Sequence, residues 1–111
     1  MEYKKEIMYS GGTSNTYSYQ KTARILGYSK TLVVLHNRGT GSGLVYTVEA
    51  TPDLEVSNAP WKILLSGTVL LSGDVNVHKL TDPWDGIRIK TANLQSNFSC
   101  NVTIWVNRDA R

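Results

Sequence analysis

The residue types able to do covalent or metal chemistry are few in this chain and stand apart from one another. Gly39, Gly41 and Gly43 invite a phosphate-loop reading, because closely spaced glycines let backbone N–H groups approach an anion. A phosphate loop needs Gly-Lys-Ser/Thr opening a helix, and a dinucleotide fingerprint also runs on into a helix. Here the next residues are Leu44-Val45-Tyr46-Thr47-Val48, strand formers, so the segment reads as a flexible hairpin. The two histidines, His36 and His78, each fall on the polar or mixed face of a strand without a second ligand at metal-site spacing. Zinc binding or catalysis needs three or more such groups converging. Cys100 is the single cysteine, which excludes an intrachain disulfide and a multi-thiolate zinc site. Its place in a core-facing alternation reads as packing rather than as a nucleophile, and no Gly-x-Ser-x-Gly elbow occurs. Asp74, Asp82 and Asp85 are carboxylates of the kind a hard cation takes, but their spacing is not that of an EF-hand. Pro83 and Gly86 account for that stretch as a tight turn with Trp84 folded back over the end of the domain. The expectation is no catalytic residue, no cofactor and no metal, hence no enzyme.

The elements that would position these residues are strands. Period-2 alternation recurs from about residue 31 onward. Leu44, Tyr46, Val48 and Ala50 alternate with Val45, Thr47 and Glu49; Val75 and Val77 with Asp74, Asn76 and His78; Ile87 and Ile89 with Gly86, Arg88 and Lys90; and Cys100, Val102, Ile104 and Val106 with Asn101, Thr103, Trp105 and Asn107. Each predicts a strand with one face in the core and the other toward water or a partner. Leu32 to Leu35, and Ile63 to Leu65 continuing through Val69 to Leu71, are apolar on both sides, as central strands carrying most of the core would be. Turn chemistry separates these runs at residues 39–43, 51–53, 58–60, 72–74, 82–86 and 93–99. Strands spaced by roughly ten residues predict an all-β, antiparallel two-sheet sandwich or jelly roll of about eight strands.

Length and composition agree with one such domain and one core: 111 residues, 41% hydrophobic, 19% charged, nine glycines,. The net charge of +3 comes from basic residues scattered from Lys4 to Arg111, without the stripe that phosphate neutralisation requires; nucleic acid is not expected as a partner. No apolar h-region follows Met1, and no run of about 18 apolar residues occurs, so neither a signal peptide nor a membrane span is expected. Synthesis in a host cytoplasm is the corresponding expectation. The sequons at Asn97 and Asn101 then read as accidents of a Ser/Thr/Asn-rich hairpin.

Residues 1–30 differ in character from 31–111, the sandwich core. They hold five of the six tyrosines and a Gly11-Gly12-Thr13-Ser14-Asn15 break. Tyr3, Ile7 and Tyr9 share one face of a possible strand, Tyr17 and Tyr19 one face of another, and Lys21 to Leu26 could form a helical turn. This N-terminal extended segment is read either as edge strands completing the sandwich or as an arm reaching a neighbouring subunit. Trp105, opposite Val102, Ile104 and Val106, is either presented outward as a binding aromatic or covered by the Tyr-rich segment.

The stretch from Pro60 to Arg108 is similar to the C-terminal half of small β-sandwich proteins of tailed-phage virions. The matching features are the apolar run Trp61 to Leu71, the Ser72-Gly73-Asp74 turn, Val75-Asn76-Val77-His78, Pro83 to Lys90, and a closing Val102 to Val106 followed by a charged tail. The resemblance implies a virion protein of the capsid-decoration, cement, head-tail or tail-associated kind. It would form homo-oligomers and bind other virion proteins of capsid or tail without a catalytic site. Its contacts would come from a few aromatic and Arg anchors multiplied by copy number: Tyr3, Tyr9, Tyr17, Tyr19, Trp84 and Trp105, with Arg88 and Arg108 at the rim. The alternative is a carbohydrate-binding module stacking surface Trp and Tyr on sugar rings, which would need two aromatics and several polar groups on one exposed face.

Overall fold

The computed structural model describes residues 3–13, 18–19, 22–26, 28, 30–39, 43–82, 84–94 and 100–109. They form nine strands: β1 (Tyr3–Gly12), β2 (Ser18–Tyr19), β3 (Ala23–Arg24), β4 (Thr31–Asn37), β5 (Leu44–Thr51), β6 (Lys62–Leu70), β7 (Val75–Leu80), β8 (Gly86–Asn93) and β9 (Asn101–Asp109). One sheet has the order β1-β9-β4-β7 and the other β2-β8-β5-β6, with β3 pairing β8 beyond β2. All pairings are antiparallel. Early strands pair with late ones, β1 with β9, β2 and β3 with β8, β4 with β7 and β5 with β6. This is the order of one long hairpin wrapped on itself, the jelly roll, with β2 and β3 together filling one of its eight places.

Alternation puts Leu44, Tyr46, Val48 and Ala50 of β5, Ile87 and Ile89 of β8, and Val102, Ile104 and Val106 of β9 into one buried cluster with Val33 and Leu35 of β4. Cys100 joins it, as its alternation predicts. The β6–β7 turn closes with Asp74 N–H on the Leu71 carbonyl and Gly73 at φ +83, a backbone region that suits glycine. Gly86 lets the chain after β5 lie close: a Cβ there would sit 2.4 Å from Leu54 Cδ1.

Several expectations are corrected. The Ile63–Leu71 run is an edge strand, not a central one: β6 pairs only β5, and Ile63 and Leu71 are more than half exposed. Val75 and Val77 of β7 point outward while Asn76 and His78 point between the sheets, the reverse of the hydropathic reading. In β5 the face opposite the core is also covered, so Thr47 and Glu49 are buried. A bulge between Ile7 and Tyr9 places them on opposite faces: Ile7 pairs with outward Trp105, Tyr9 with inward Ile104 and packs on the core. Residues 23 and 24 are strand, not helix. Residues 3–12 lie in the four-stranded sheet as its edge, and β2 and β3 edge the other.

Candidate functional site

Three surfaces gather the side chains able to recognise a ligand or a partner. The first lies where the edges of β6 and β7 part. A cleft of about 370 Å³ is lined by Leu64, Leu65, Val77, Leu80 and Trp84, with His78, Lys79 and Asp82 as its titratable neighbours. His78 is on β7 because the inward positions of that edge strand are polar, and their partner comes from the other sheet. The Tyr46 hydroxyl bonds His78 Nε2 and accepts from Asn76 Nδ2 at 3.0 Å. With Asn76 occupying one lone pair, the phenol keeps both its O–H and a second lone pair for Nε2, so this bond is satisfied in either neutral imidazole tautomer. Burial holds the His78 pKa below its ordinary value and pushes the Tyr46 phenol up, against the Asn76 bond that lowers it. The trio is a polar bolt between the sheets, with its acid–base capacity turned inward.

That geometry sets a pH dependence. The folded imidazole has the lower pKa, so the unfolded chain binds more protons below about pH 6.5. Stability is full above that value and falls as pH drops from there through the folded-state pKa. The urea midpoint is expected to fall between about pH 7.5 and 5.5 more steeply in wild type than in His78→Gln. Equal slopes would show that His78 does not carry the effect.

The second surface is the outer face of the five-stranded sheet. Glu49 and Arg88 are direct cross-strand partners, and Arg88 Nε lies 2.8 Å from Glu49 Oε1. The guanidinium also stacks 4.0 Å from the centroid of Trp61, and Lys90 Nζ stands 3.9 Å from Glu49 Oε2. Arg88 is thus engaged within the chain rather than projecting as a rim contact. Arg108 departs further from that expectation. It is 6% exposed, bonds the Arg24 carbonyl at 2.6 Å, pairs with Glu6 at 2.9 Å and lies over the Tyr28 ring.

The third surface is the outer face of the four-stranded sheet. Trp105 stands there between β1 and β4, half-buried, with Lys5 Nζ 4.9 Å from its ring centroid. β1 lies beside it in the sheet rather than on top of it.

Among the other expected contact residues, Tyr9 turns its hydroxyl to the Gly12 carbonyl and Trp84 packs on the core at the cleft. Tyr3 and Tyr19 are placed by their backbones in β1 and β2, their side chains lying outside the described residues, as does Tyr17 altogether. Trp61, Trp84 and Trp105 stand on three different surfaces, so they do not together form the face that sugar stacking requires. His36 and His78 are on opposite sides of their sheet. Asp85 accepts from the Leu54 N–H at 2.7 Å and faces the Arg24 guanidinium at 3.5 Å. No group of three or more His, Cys, Asp or Glu suited to a metal occurs among the described residues. The sequence reading missed Glu49, Trp61 and outward Val77. The Glu49 and Arg88 alternations, both opposite the core, carried the signal for the first of these; nothing local marked the other two.

No protein-family model matches the chain, and no curated protein sequence matches it. Among solved structures it is similar to a chain of the T13 viral particle of IBDV, whose crystal structure is described as revealing a missing link in the evolution of icosahedral viruses. Identity is 12% and TM-score 0.55 over 98% of this chain and 31% of that one. A chain of infectious bursal disease virus, Gx strain, aligns with 14% identity and TM-score 0.44 over 95% of this chain and 30% of that one. The first likeness is one of fold, and this chain spans less than a third of the other's length. The T13 particle is that of IBDV and not of a tailed phage, the source that the resemblance over residues 60–108 pointed to.

Proposed function

We propose that the protein is a non-enzymatic structural component of a virus particle, acting through protein–protein contacts in a symmetric assembly with copies of itself and with other virion proteins. A capsid decoration or cement protein, or a head-tail associated one, is the form that suits a rigid sandwich of this size. The observation that carries the reading is the wrapped-hairpin strand order, which aligns over 98% of the chain with part of a viral-particle protein. A jelly roll also serves lectins and cupins, so fold is joined here to a second consideration: His78, Tyr46, Glu49 and Asp85 are engaged in internal contacts, while apolar side chains on β1, β6 and β7 stay open. Such side chains mark contact surfaces when they are contiguous.

The test is mass spectrometry on density-purified particles from cells that produce the protein. The chain is expected there at a fixed ratio to the main shell protein. Its absence from intact particles, while abundant in the same cells, would remove the reading.

A further inference from the structure

The outer face of the four-stranded sheet carries one row of apolar side chains in register across all its strands. Ile7 pairs Trp105, Trp105 pairs Val34, and Val34 pairs Val77. With strands about 4.8 Å apart, the row is about 14 Å long. Val34 at its centre is buried, while Ile7 and Val77 at its ends are 52% and 54% exposed. A parallel row on one side runs Lys5, Asn107, Leu32, Lys79, and on the other Ser10, Thr103, His36, Val75.

Charge around this band is mostly positive. Among the described residues Lys5, Lys79, Lys30 and Arg38 are its exposed cations, and Asp74 is exposed at the β6–β7 turn. Lys5 lies over Trp105, Lys30 and Lys79 border a shallow hollow with Leu32 and Asn107, and Arg38 reaches Ser10 and Asn101. The nearby carboxylates are turned elsewhere. Glu6 goes to Arg108, Asp74 to the Leu71 N–H, and Asp109 is buried. Two such faces stacked on each other would bring together mostly cations.

The complementary chemistry is carried by the β5–β6 loop. Asp53-Leu54-Glu55-Val56 alternates acid and apolar, with Val56 46% exposed and the Glu55 side chain 75% exposed while pairing with Arg24 of its own chain. Its backbone is held by Leu54 N–H on Asp85 and Glu55 N–H on Asp53. We propose that the outer face of the four-stranded sheet docks a second copy of this chain through that copy's β5–β6 loop, Val56 over the Ile7–Trp105–Val34–Val77 row and Glu55, shared with Arg24 of its own chain, against Lys79. With each copy offering one patch per contact the arrangement is head-to-tail, and repetition builds a ring or an open filament rather than a closed pair. The inference rests on the assembly reading above and names the surface and the partner for it.

Sedimentation velocity of the full chain over rising concentration tests it. Wild type is expected to self-associate, and Val77→Lys, Glu55→Lys and Lys79→Glu each to weaken association by about tenfold or more. The Glu55→Lys/Lys79→Glu double variant is expected to recover most of the loss. Val77, Glu55 and Lys79 are exposed, so unchanged near-UV circular dichroism is expected in each variant. A wild type that remains monomeric to about 1 mM overturns the proposal, as does association undiminished in Val77→Lys and Glu55→Lys. Either result leaves the virion reading standing, because only absence from purified particles removes that.

Discussion

Arg88→Leu is expected to destabilise the protein by about 3–5 kcal/mol, the range for removing one partner of a buried ion pair. Glu49 sits on the covered face of β5 with its side chain 6% exposed, and Arg88 gives it its closest cationic contact at 2.8 Å. Lys90 at 3.9 Å offers a weaker, more distant countercharge and draws the effect toward the lower end. The substitution also takes the guanidinium off Trp61, a stacking worth about 0.5–2 kcal/mol. The double variant Glu49→Leu/Arg88→Leu removes both charges and is expected to recover most of the loss, because apolar replacement of a buried pair is often neutral. Urea unfolding of the two single variants and the double forms the cycle. If Arg88→Leu costs less than about 0.5 kcal/mol, the pair behaves as a solvated surface bridge and its assignment to the covered face is wrong.

Ile104→Ala is expected to cost about 2–5 kcal/mol, whereas Ile63→Ala is expected to cost less than about 1 kcal/mol. Ile104 is fully buried in β9, between β1 and β4, and its truncation leaves a cavity that two flanking strands and the opposite sheet hold open. Ile63 is 54% exposed on edge strand β6, where solvent fills the space. Thermal and urea midpoints for both variants measure the contrast. Equal losses would place β6 inside the sandwich, as its continuous apolar pattern suggests on its own.

Exposed apolar side chains on an edge strand also bear on solubility, since open edges invite pairing with other chains. Here β6 is interrupted by register shifts opposite Tyr46 to Glu49 and by Gly67 at φ +72. Both twist its edge away from the flat geometry that a further strand needs.

Some of the candidate surface was legible before folding and some was not. Thr103, Trp105 and Asn107 share a face opposite Val102, Ile104 and Val106 by spacing alone, and the structure places Trp105 on that outer face. Its neighbours in the apolar row, Ile7, Val34 and Val77, come from three strands far apart in the chain, so their alignment is a matter of register between strands. Arg88 was identifiable as outward on β8, yet its engagement with Glu49 and Trp61 depends on β5 lying beside it. Arg108 looks like a tail residue in sequence and becomes buried because Glu6, Tyr28 and the Arg24 carbonyl close around it.

By itself the sequence determined an all-β antiparallel sandwich with core alternations in β5, β8 and β9, because period-2 hydropathy and turn residues are local properties of the chain. Only the tertiary structure decided which strands stand at the edges, which face of β7 turns inward and where β1 changes face. The physical reason is that alternation says two faces differ but not which one is covered. In β7 the polar face turns inward because Tyr46, on the other sheet, satisfies Asn76 and His78. In β6 an apolar run can remain open because no strand follows it in the sheet.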